Sequence, residues 1–449
     1  MRSPIFVCIL SLVACGNDSV DPGPDGPSGN RPDPRVIAGG GIGDGAIDGV
    51  VNLYVIDDTA RTPIANAEVR VGAVAGTTDA TGLFVAEGVV GPQDIVVKAP
   101  SRRAEMWLAA NGANITVNLE LMNVGTPPSA NLTGSITGLV TGTLPANHAM
   151  LAIVSYSQTD DLGDPANELA QPAGSGGLPQ NLCFVTLAAD PCAFTVTSRT
   201  GKVALVAAIF DFDTKGTATE ADDTQVLVGW AVRQGITVVA SSNQTVPSMS
   251  LVPVAMTQTM TVDFGTPPAN LTQRGALLGI DLGDEGVLQL PAFVTPAAPT
   301  LLAPKLAAIS GATGFRLTGI ASDGAVTDAA QSVVLRRALT GTTLAAGEWL
   351  SPPTGVSLTK TGGSWTNSPG ATVHGVEFTQ GGTNLLNVTT FDSSQATFTL
   401  PDLLLPLPSG AITATLNAIG ADGLDPNSFS LDADRDKLDR VGAQAKTLN

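Results

Sequence analysis

The sequence predicts an all-β protein made of tandem β-sandwich domains, and three observations predict it. Among 449 residues only 4% are aromatic and 14% are charged, whereas Gly, Ala, Thr and Val abound. The 50 glycines and 31 prolines are typical of many short strands joined by tight turns, not of helical bundles. Apolar and polar residues alternate in short runs, and no long amphipathic helix is evident.

The first element is a short apolar segment that ends at a cysteine. Residues 4–14 are apolar apart from one serine, which is too short to cross a bilayer but fits the core of a secretory signal. The string LVAC at residues 12–15 resembles the lipobox of bacterial lipoproteins. The resemblance implies a signal peptide over residues 1–14 and lipid attachment at Cys15. An ordinary signal with a chance cysteine, or a short core helix, are the alternatives.

The next element is a tether between the lipid and the first domain. Residues 16–45 are rich in Gly, Pro and Asp and nearly lack apolar clusters, so we expect residues 15–45 to be disordered. The acylated Cys15 would bind the lipid bilayer. Gly16 follows it where inner-membrane retention has Asp, which by resemblance favours the outer membrane and leaves its periplasmic or surface side open. The net charge of -18 repels phosphate backbones and excludes nucleic acid as a partner.

The first folded domain is predicted over residues 46–121. Period-two alternation in EVRV (residues 68–71) and ITVNL (residues 115–119) gives each strand one buried face, and DATG (residues 79–82) is a turn. The segment resembles the carboxypeptidase regulatory-like domain, a transthyretin-like β-sandwich. The matching residues are Gly49, Val50, Asp57, Pro63, Ile64, Ala67, Val69, Val71, Thr78, Asp79, Gly82, Phe84, residues 95–97 and Ala99. The resemblance implies an accessory unit without catalytic residues, which spaces, docks or presents other domains, and some relatives of which bind carbohydrate. The Gly-Tyr that usually follows the last of these strands is replaced by PSR at residues 100–102.

A short internal repeat predicts the remaining domain boundaries. GTPPSANLT at residues 125–133 recurs as GTPPANLT at residues 265–272, each copy after a strand. Since Pro-Pro is stiff and cannot donate to a strand ladder, we expect domain junctions there and β-rich domains over residues 122–264 and 265–449. Strands are predicted at residues 150–156, 193–196, 202–212, 224–232, 256–264, 314–319, 332–337, 373–378, 385–391, 396–400 and 411–416. ATFTLP (residues 396–401) is similar to fibronectin type III modules, and whether the last domain is one unit or two stays open.

The cysteines predict one disulfide bond. Cys8 lies in the signal and Cys15 in the lipobox, which leaves Cys183 and Cys192 as an even pair in an exported chain. We expect them to form a structural disulfide that closes a hairpin or loop. The alternative, a metal or redox pair, lacks CxxC spacing and nearby histidines.

A calcium loop is the best candidate site, at FDFDTKGTATEADDT. The residues near calcium-loop spacing are Asp211, Asp213, Gly216, Thr217, Thr219 and Asp222. Against calcium, Lys215 stands where a carboxylate is expected, Asp222 replaces the bidentate Glu, and strands flank the loop. The alternative is a solvated acidic turn, and a bound ion would be structural.

Catalytic constellations are scarce in this sequence. It has two histidines, His148 and His374, and no GxSxG, HExxH, P-loop or GxGxxG motif. The pair His374 and Glu377 matches half of a zinc carboxypeptidase motif, but no histidine follows it. On a strand the two positions point to opposite faces, so we expect ordinary polar residues of a surface strand.

These observations predict a non-catalytic cell-envelope lipoprotein that serves as a binding, adhesion or scaffold protein. Its partner is an unidentified envelope protein or glycan. The alternative is a carbohydrate-binding surface lipoprotein that acts through loops of the first or last domain, where Trp365 among turn residues offers a ring that can stack on a sugar. An envelope hydrolase is disfavoured by the scarcity of histidine, and no cofactor is expected apart from the candidate calcium.

Overall fold

A computed structural model describes residues 33–122, 125–160, 164–174, 178–187, 190–217 and 220–449. The expected signal, Cys15, most of the expected tether and Thr219 lie outside the described residues. The regular structure of the described residues is mostly β-strand, which confirms the predicted fold class. Its helices are single turns, and none of those described is long and apolar enough to span a membrane.

The strands of the first predicted domain run from residue 41 to residue 119. They are Gly41–Gly43 (β1), Asp48–Asp57 (β2), Glu68–Val71 (β3), Val74–Thr77 (β4), Leu83–Val90 (β5), Gln93–Lys98 (β6), Ala104–Ala110 (β7) and Asn114–Leu119 (β8). The alternating segments predicted at residues 68–71 and 115–119 are β3 and β8. All six residues of β8 are buried, so the expectation of one solvated face is corrected for this strand.

The strands of the middle region lie between residues 129 and 251. They are Ser129–Ile136 (β9), His148–Tyr156 (β10), Leu182–Val185 (β11), Cys192–Arg199 (β12), Gly201–Asp213 (β13), Thr224–Val238 (β14), Gln244–Thr245 (β15) and Ser250–Leu251 (β16). Turns of 3-10 helix lie at Pro165–Asn167, Glu220–Asp222 and Val254–Met256.

The remaining strands follow from residue 257 to residue 448. They are Thr257–Asp263 (β17), Gln273–Asp281 (β18), Val287–Val294 (β19), Thr300–Pro304 (β20), Gly314–Ser322 (β21), Ala330–Leu339 (β22), Thr343–Ala345 (β23), Thr354–Thr359 (β24), Gly362–Thr366 (β25), Val373–Gln380 (β26), Thr383–Thr390 (β27), Thr397–Thr399 (β28), Ile412–Ala421 (β29), Phe429–Ser430 (β30) and Leu438–Leu448 (β31). Helical turns lie at Gly283–Glu285, Leu306–Ala308, Asp402–Leu404, Leu431–Asp434 (α1) and Arg435–Lys437.

One long sheet contains strands from the beginning and the end of the chain. Its order is β19-β18-β21-β22-β31-β29-β26-β27-β7-β6-β3-β4. The link is a parallel pairing of β7 with β27, in which residues 104–108 lie opposite residues 386–390. The first predicted domain is therefore joined to C-terminal strands by backbone hydrogen bonds.

The first sandwich packs the sheet β30-β1-β8-β2-β5 against the β7-β6-β3-β4 end of the long sheet. Its core alternates along each strand, as in Val51, Leu53 and Val55 of β2, because side chains two apart share a face. β1 lies between β8 and β30. The expected tether is thus corrected at its end, since Gly41–Gly43 is a strand of the folded domain.

The middle region forms a second sandwich, whose sheets are β11-β10-β13-β14-β16 and β12-β9-β15. The apolar run in β13 is explained by burial of both faces. Val203, Leu205 and Ala207 face the core of this sandwich, whereas Ala204 and Val206 face a core shared with the last region. β17, predicted for the middle domain, pairs with β20 and β23 of the last region.

Candidate functional site

The predicted disulfide is present. Cys183 in β11 and Cys192 at the start of β12 are bonded, with 5.6 Å between their Cα atoms. β11 and β12 are edge strands of the two facing sheets of the middle sandwich. The bond therefore closes one side of that sandwich.

In the acidic loop predicted to bind calcium, the aspartates are bonded to other side chains of the protein. Asp211 accepts from His148 Nδ1 at 2.8 Å, and Asp213 lies 3.3 Å from His148 Nε2, because β13 pairs with β10 at this point. Lys215 also forms an ion pair with Asp213, and its hydrogen bonds hold the pKa of that carboxyl below its usual value. Asp222 accepts from the hydroxyl of a loop threonine at 2.8 Å.

Calcium at this loop remains a prediction. In the described part of the chain, no group of three or more His, Cys, Asp and Glu side chains is arranged to hold a metal ion. The three carboxylates singled out from the sequence do not converge on one point. The cross-strand histidine is the residue that sequence reasoning did not connect to them.

The half-motif of His374 and Glu377 lies in the middle of the long sheet, so the expected surface strand is corrected. β26 is paired on both sides, with β27 and β29, and His374 is only 1% exposed. Its Nε2 accepts from the backbone N–H of Ser368 at 3.3 Å. Burial lowers the pKa of His374 to about 4, so the ring is neutral at pH 7. Burial also raises the pKa of Glu377 on the opposite face.

Trp365 is buried, which corrects the expectation of an exposed ring. Its side chain lies in β25, is 7% exposed, and packs 6.2 Å from the ring of Phe398 and 5.9 Å from that of His374. The small sheet β24-β25-β28 covers one face of the long sheet here. Trp365 is a core residue and presents no face to a sugar.

A buried charged cluster lies where β7 meets β27, and sequence reasoning missed it. We call Arg103, Glu105 and Glu120 the charged junction. The guanidinium donates from Nε to Glu105 at 2.8 Å and from Nη1 to Glu120 at 2.5 Å. Arg103 is 3% and Glu105 is 5% exposed. The spacing of Arg103 and Glu105 could have predicted their ion pair, since residues two apart on a strand share a face.

Burial controls the electrostatics of the charged junction. It raises the pKa of Glu105 to about 7, although the Arg103 guanidinium acts to lower it. Burial acts to lower the pKa of Arg103, but the two carboxylates outweigh it and the pKa is raised. Nearby Asp58 is 1% exposed, accepts from the amide of Asn118, and has its pKa raised by burial.

A cavity of about 80 Å³ adjoins the charged junction and is mostly apolar. Trp107, Phe391 and Phe429 pack together beside it, with ring centroids 5.1 Å apart for the first pair and 5.6 Å apart for the last two. The cavity lies between β8 and β30 on one side and β7, β27, β26 and β29 of the long sheet on the other. Arg103 and Glu105 of the charged junction therefore line the same cavity as these rings.

Comparisons with known proteins give no family. No protein family model and no curated protein matches the chain. Among solved structures, two B repeat units of the collagen-binding protein of Staphylococcus aureus are similar at 11% identity over 90% of this chain and 99% of that one, with a TM-score of 0.14. Shaft pilin SpaA from Lactobacillus rhamnosus GG has 9% identity over 46% and 99% of the chains, and a TM-score of 0.14. The major pilin subunit BcpA of Bacillus cereus has 9% identity over 66% and 98%, and the same TM-score of 0.14. Scores this low support no conclusion about this chain.

Proposed function

We propose that this chain is a non-catalytic cell-envelope lipoprotein that serves as a binding, adhesion or scaffold protein. The observation that carries the proposal is the parallel pairing of β7 with β27 in the long sheet. It makes the first predicted domain and the C-terminal strands parts of one hydrogen-bonded sheet. A body of this kind holds its loops in fixed relative positions, which is what presentation of a binding surface requires.

The charged junction supports the same role. Arg103 and Glu105 are buried at the start of β7, beside the strand pair that joins the two ends of the chain. A buried pair that loses one partner leaves an uncompensated charge, so the pair favours one register of β7 over a slipped one. We infer that this pair serves architecture and not a reaction.

The tether sets the distance between the membrane and this body. The string LVAC and the proposed acylation of Cys15 supply the lipid anchor. The chain is held on the fold before β1, because the backbone N–H groups of Arg35 and Ile37 donate to side chains of β8. Residues 16–34 span at most about 70 Å when fully extended.

Metabolic labelling with a fatty-acid analogue tests the anchor. We expect label on the wild-type chain and on the matched control Cys8→Ser, and none on Cys15→Ser. Cell fractionation should place the labelled chain in the outer membrane, and protease treatment of intact cells reports which side it faces. Label on Cys15→Ser, or an unlabelled wild-type chain, would contradict the lipoprotein proposal.

The alternative function, a carbohydrate-binding surface lipoprotein, needs a site other than the buried Trp365. The less favoured envelope hydrolase would have to work without either histidine as a free base. His148 is bonded to Asp211 and lies beside Asp213, and His374 is buried with a lowered pKa.

A further inference from the structure

A polar pocket of about 190 Å³ lies where the middle sandwich meets the long sheet. Residues of β10, of the segment between β10 and β11, and of β19 line it, and none of its described lining residues is charged. The residues that carry the argument are Tyr156, Gln158, Asn181, Gln289 and Pro291. We call this the amide pocket.

Two of its amides are fixed by the backbone. Asn181 Nδ2 donates to the carbonyl of Val154 at 2.9 Å, and Gln289 Nε2 donates to the carbonyl of Leu278 at 2.9 Å. A primary amide has two N–H groups and an oxygen with two lone pairs, so each keeps one N–H and its carbonyl oxygen for another partner. Both groups are held in position before a ligand arrives, which lowers the entropic cost of binding.

Gln158 contributes a third amide on a fixed backbone. Its N–H and C=O each bond to Val287 of β19 at 2.8 Å, which joins the two regions at the pocket. Gly286 permits this bridge, because its φ is +85° and a Cβ there would lie 2.1 Å from the Gln158 carbonyl oxygen. Among the described residues, the Gln158 side chain has no hydrogen-bond partner.

Two rings give the pocket an apolar surface. Tyr156 is 6% exposed, and its hydroxyl donates to the carbonyl of Ala166 at 2.7 Å, so its position is fixed. The ring of Pro291, in β19, also lines the pocket. A sugar has the complementary surface, since its hydroxyls both donate and accept while its C–H groups pack on rings.

The ligand that fits this lining is neutral. A buried charge needs a counter-charge, and the described residues that line the amide pocket offer none. We propose that the amide pocket binds one neutral monosaccharide unit of an envelope glycan. The inference rests on the binding role of the proposed function and deepens it by naming a site and a ligand class.

Ligand titration of the purified full chain in detergent tests the inference. Methyl glycosides of glucose, galactose, mannose and N-acetylglucosamine are titrated and followed by saturation-transfer difference NMR. We expect saturable binding of at least one of them. Gln158→Ala and Gln289→Ala should each weaken it about three- to tenfold, the loss of a net hydrogen bond. The exposed amide of Gln225, on β14 and outside the pocket, provides the matched control Gln225→Ala.

Other outcomes overturn the inference. The first is that none of the four glycosides binds saturably. The second is that Gln158→Ala leaves binding unchanged, and the third is that the pocket binds an uncharged tripeptide and no sugar. Since the Gln158 side chain has no partner among the described residues, its variant should fold, and unchanged far-UV circular dichroism checks this. An unlabelled chain that binds sugar contradicts only the lipid anchor. A labelled chain that binds none contradicts only this site.

Discussion

Arg103 and Glu105 are bonded at 2.8 Å, and both are buried where the first sandwich joins the C-terminal strands of the long sheet. Glu120 adds a second carboxylate on the same guanidinium. The three side chains carry one positive and two negative charges when all are ionised. Because Arg103 and Glu105 are buried and the charges of the three side chains do not cancel, we expect stability to depend both on these residues and on pH.

Loss of the arginine should be strongly destabilising. Arg103→Met leaves Glu105 and Glu120 without their cation, and we expect the free energy of unfolding to fall by about 3–5 kcal/mol. Urea denaturation followed by tryptophan fluorescence measures it. Arg70→Met is the matched control, because Arg70 lies on β3, two strands from β7 in the same sheet, without an ion pair among the described residues. Equal stability of the two variants would contradict the role of the charged junction.

Glu105 should make the protein less stable as the pH rises. Its pKa is about 7 in the folded chain against a usual 4.5, so the folded chain binds the proton more tightly. The resulting stability is complete below pH 4.5 and is lost as the pH rises through about 7, an effect of at most about 3 kcal/mol. Glu105→Gln should remove this part of the slope, measured by denaturation at pH 5 and pH 8. Exposed Glu68→Gln, the control, should keep it.

His374 should make the protein less stable as the pH falls, which is opposite to the effect of Glu105. Its pKa is about 4 in the folded chain against a usual 6.5, so its contribution is complete above pH 6.5 and is lost as the pH falls through about 4. We expect wild type to lose up to about 3 kcal/mol over this range through this residue. Melting temperatures at pH 7 and pH 4.5 should differ less for His374→Gln than for wild type. An identical difference in both proteins would refute the assignment.

The disulfide should stabilise the middle sandwich. Cys183→Ser with Cys192→Ser opens a short loop, and the chain-entropy model gives a loss of about 2.5–3 kcal/mol. Hydrogen exchange of β11 and β12 in the double variant measures the effect locally. The first sandwich serves as the internal control, since its exchange should not change. Protection of β11 equal to that of wild type would contradict the prediction.

Local patterns in the sequence identified strands but not their partners. Sequence patterns located β8, β21 and β29 to within a few residues, although these strands are buried on both faces and not on one. These patterns carry no information about which strand lies alongside, so the pairing of β7 with β27 was beyond them. The strand β7 was itself overlooked, since six of its seven residues are buried and it shows no period-two alternation.

The candidate site residues were also misjudged where their neighbours lie far away in the sequence. Asp211 and Asp213 looked like free calcium ligands, because the cross-strand neighbour His148 lies more than 60 positions earlier in the chain. Trp365 looked exposed among turn residues, but a short sheet folds its ring into the core. In contrast, the disulfide could be predicted, since only two cysteines remained to pair.

The position of β1 has a mechanical consequence. This three-residue strand is the first described strand after the proposed lipid end, and it is bonded to β8 on one side and to β30 on the other. Tension along the tether would therefore load two strands at once, one from the start of the fold and one from near its end. Pulling would shear β1 between them and share the load between distant parts of the polypeptide.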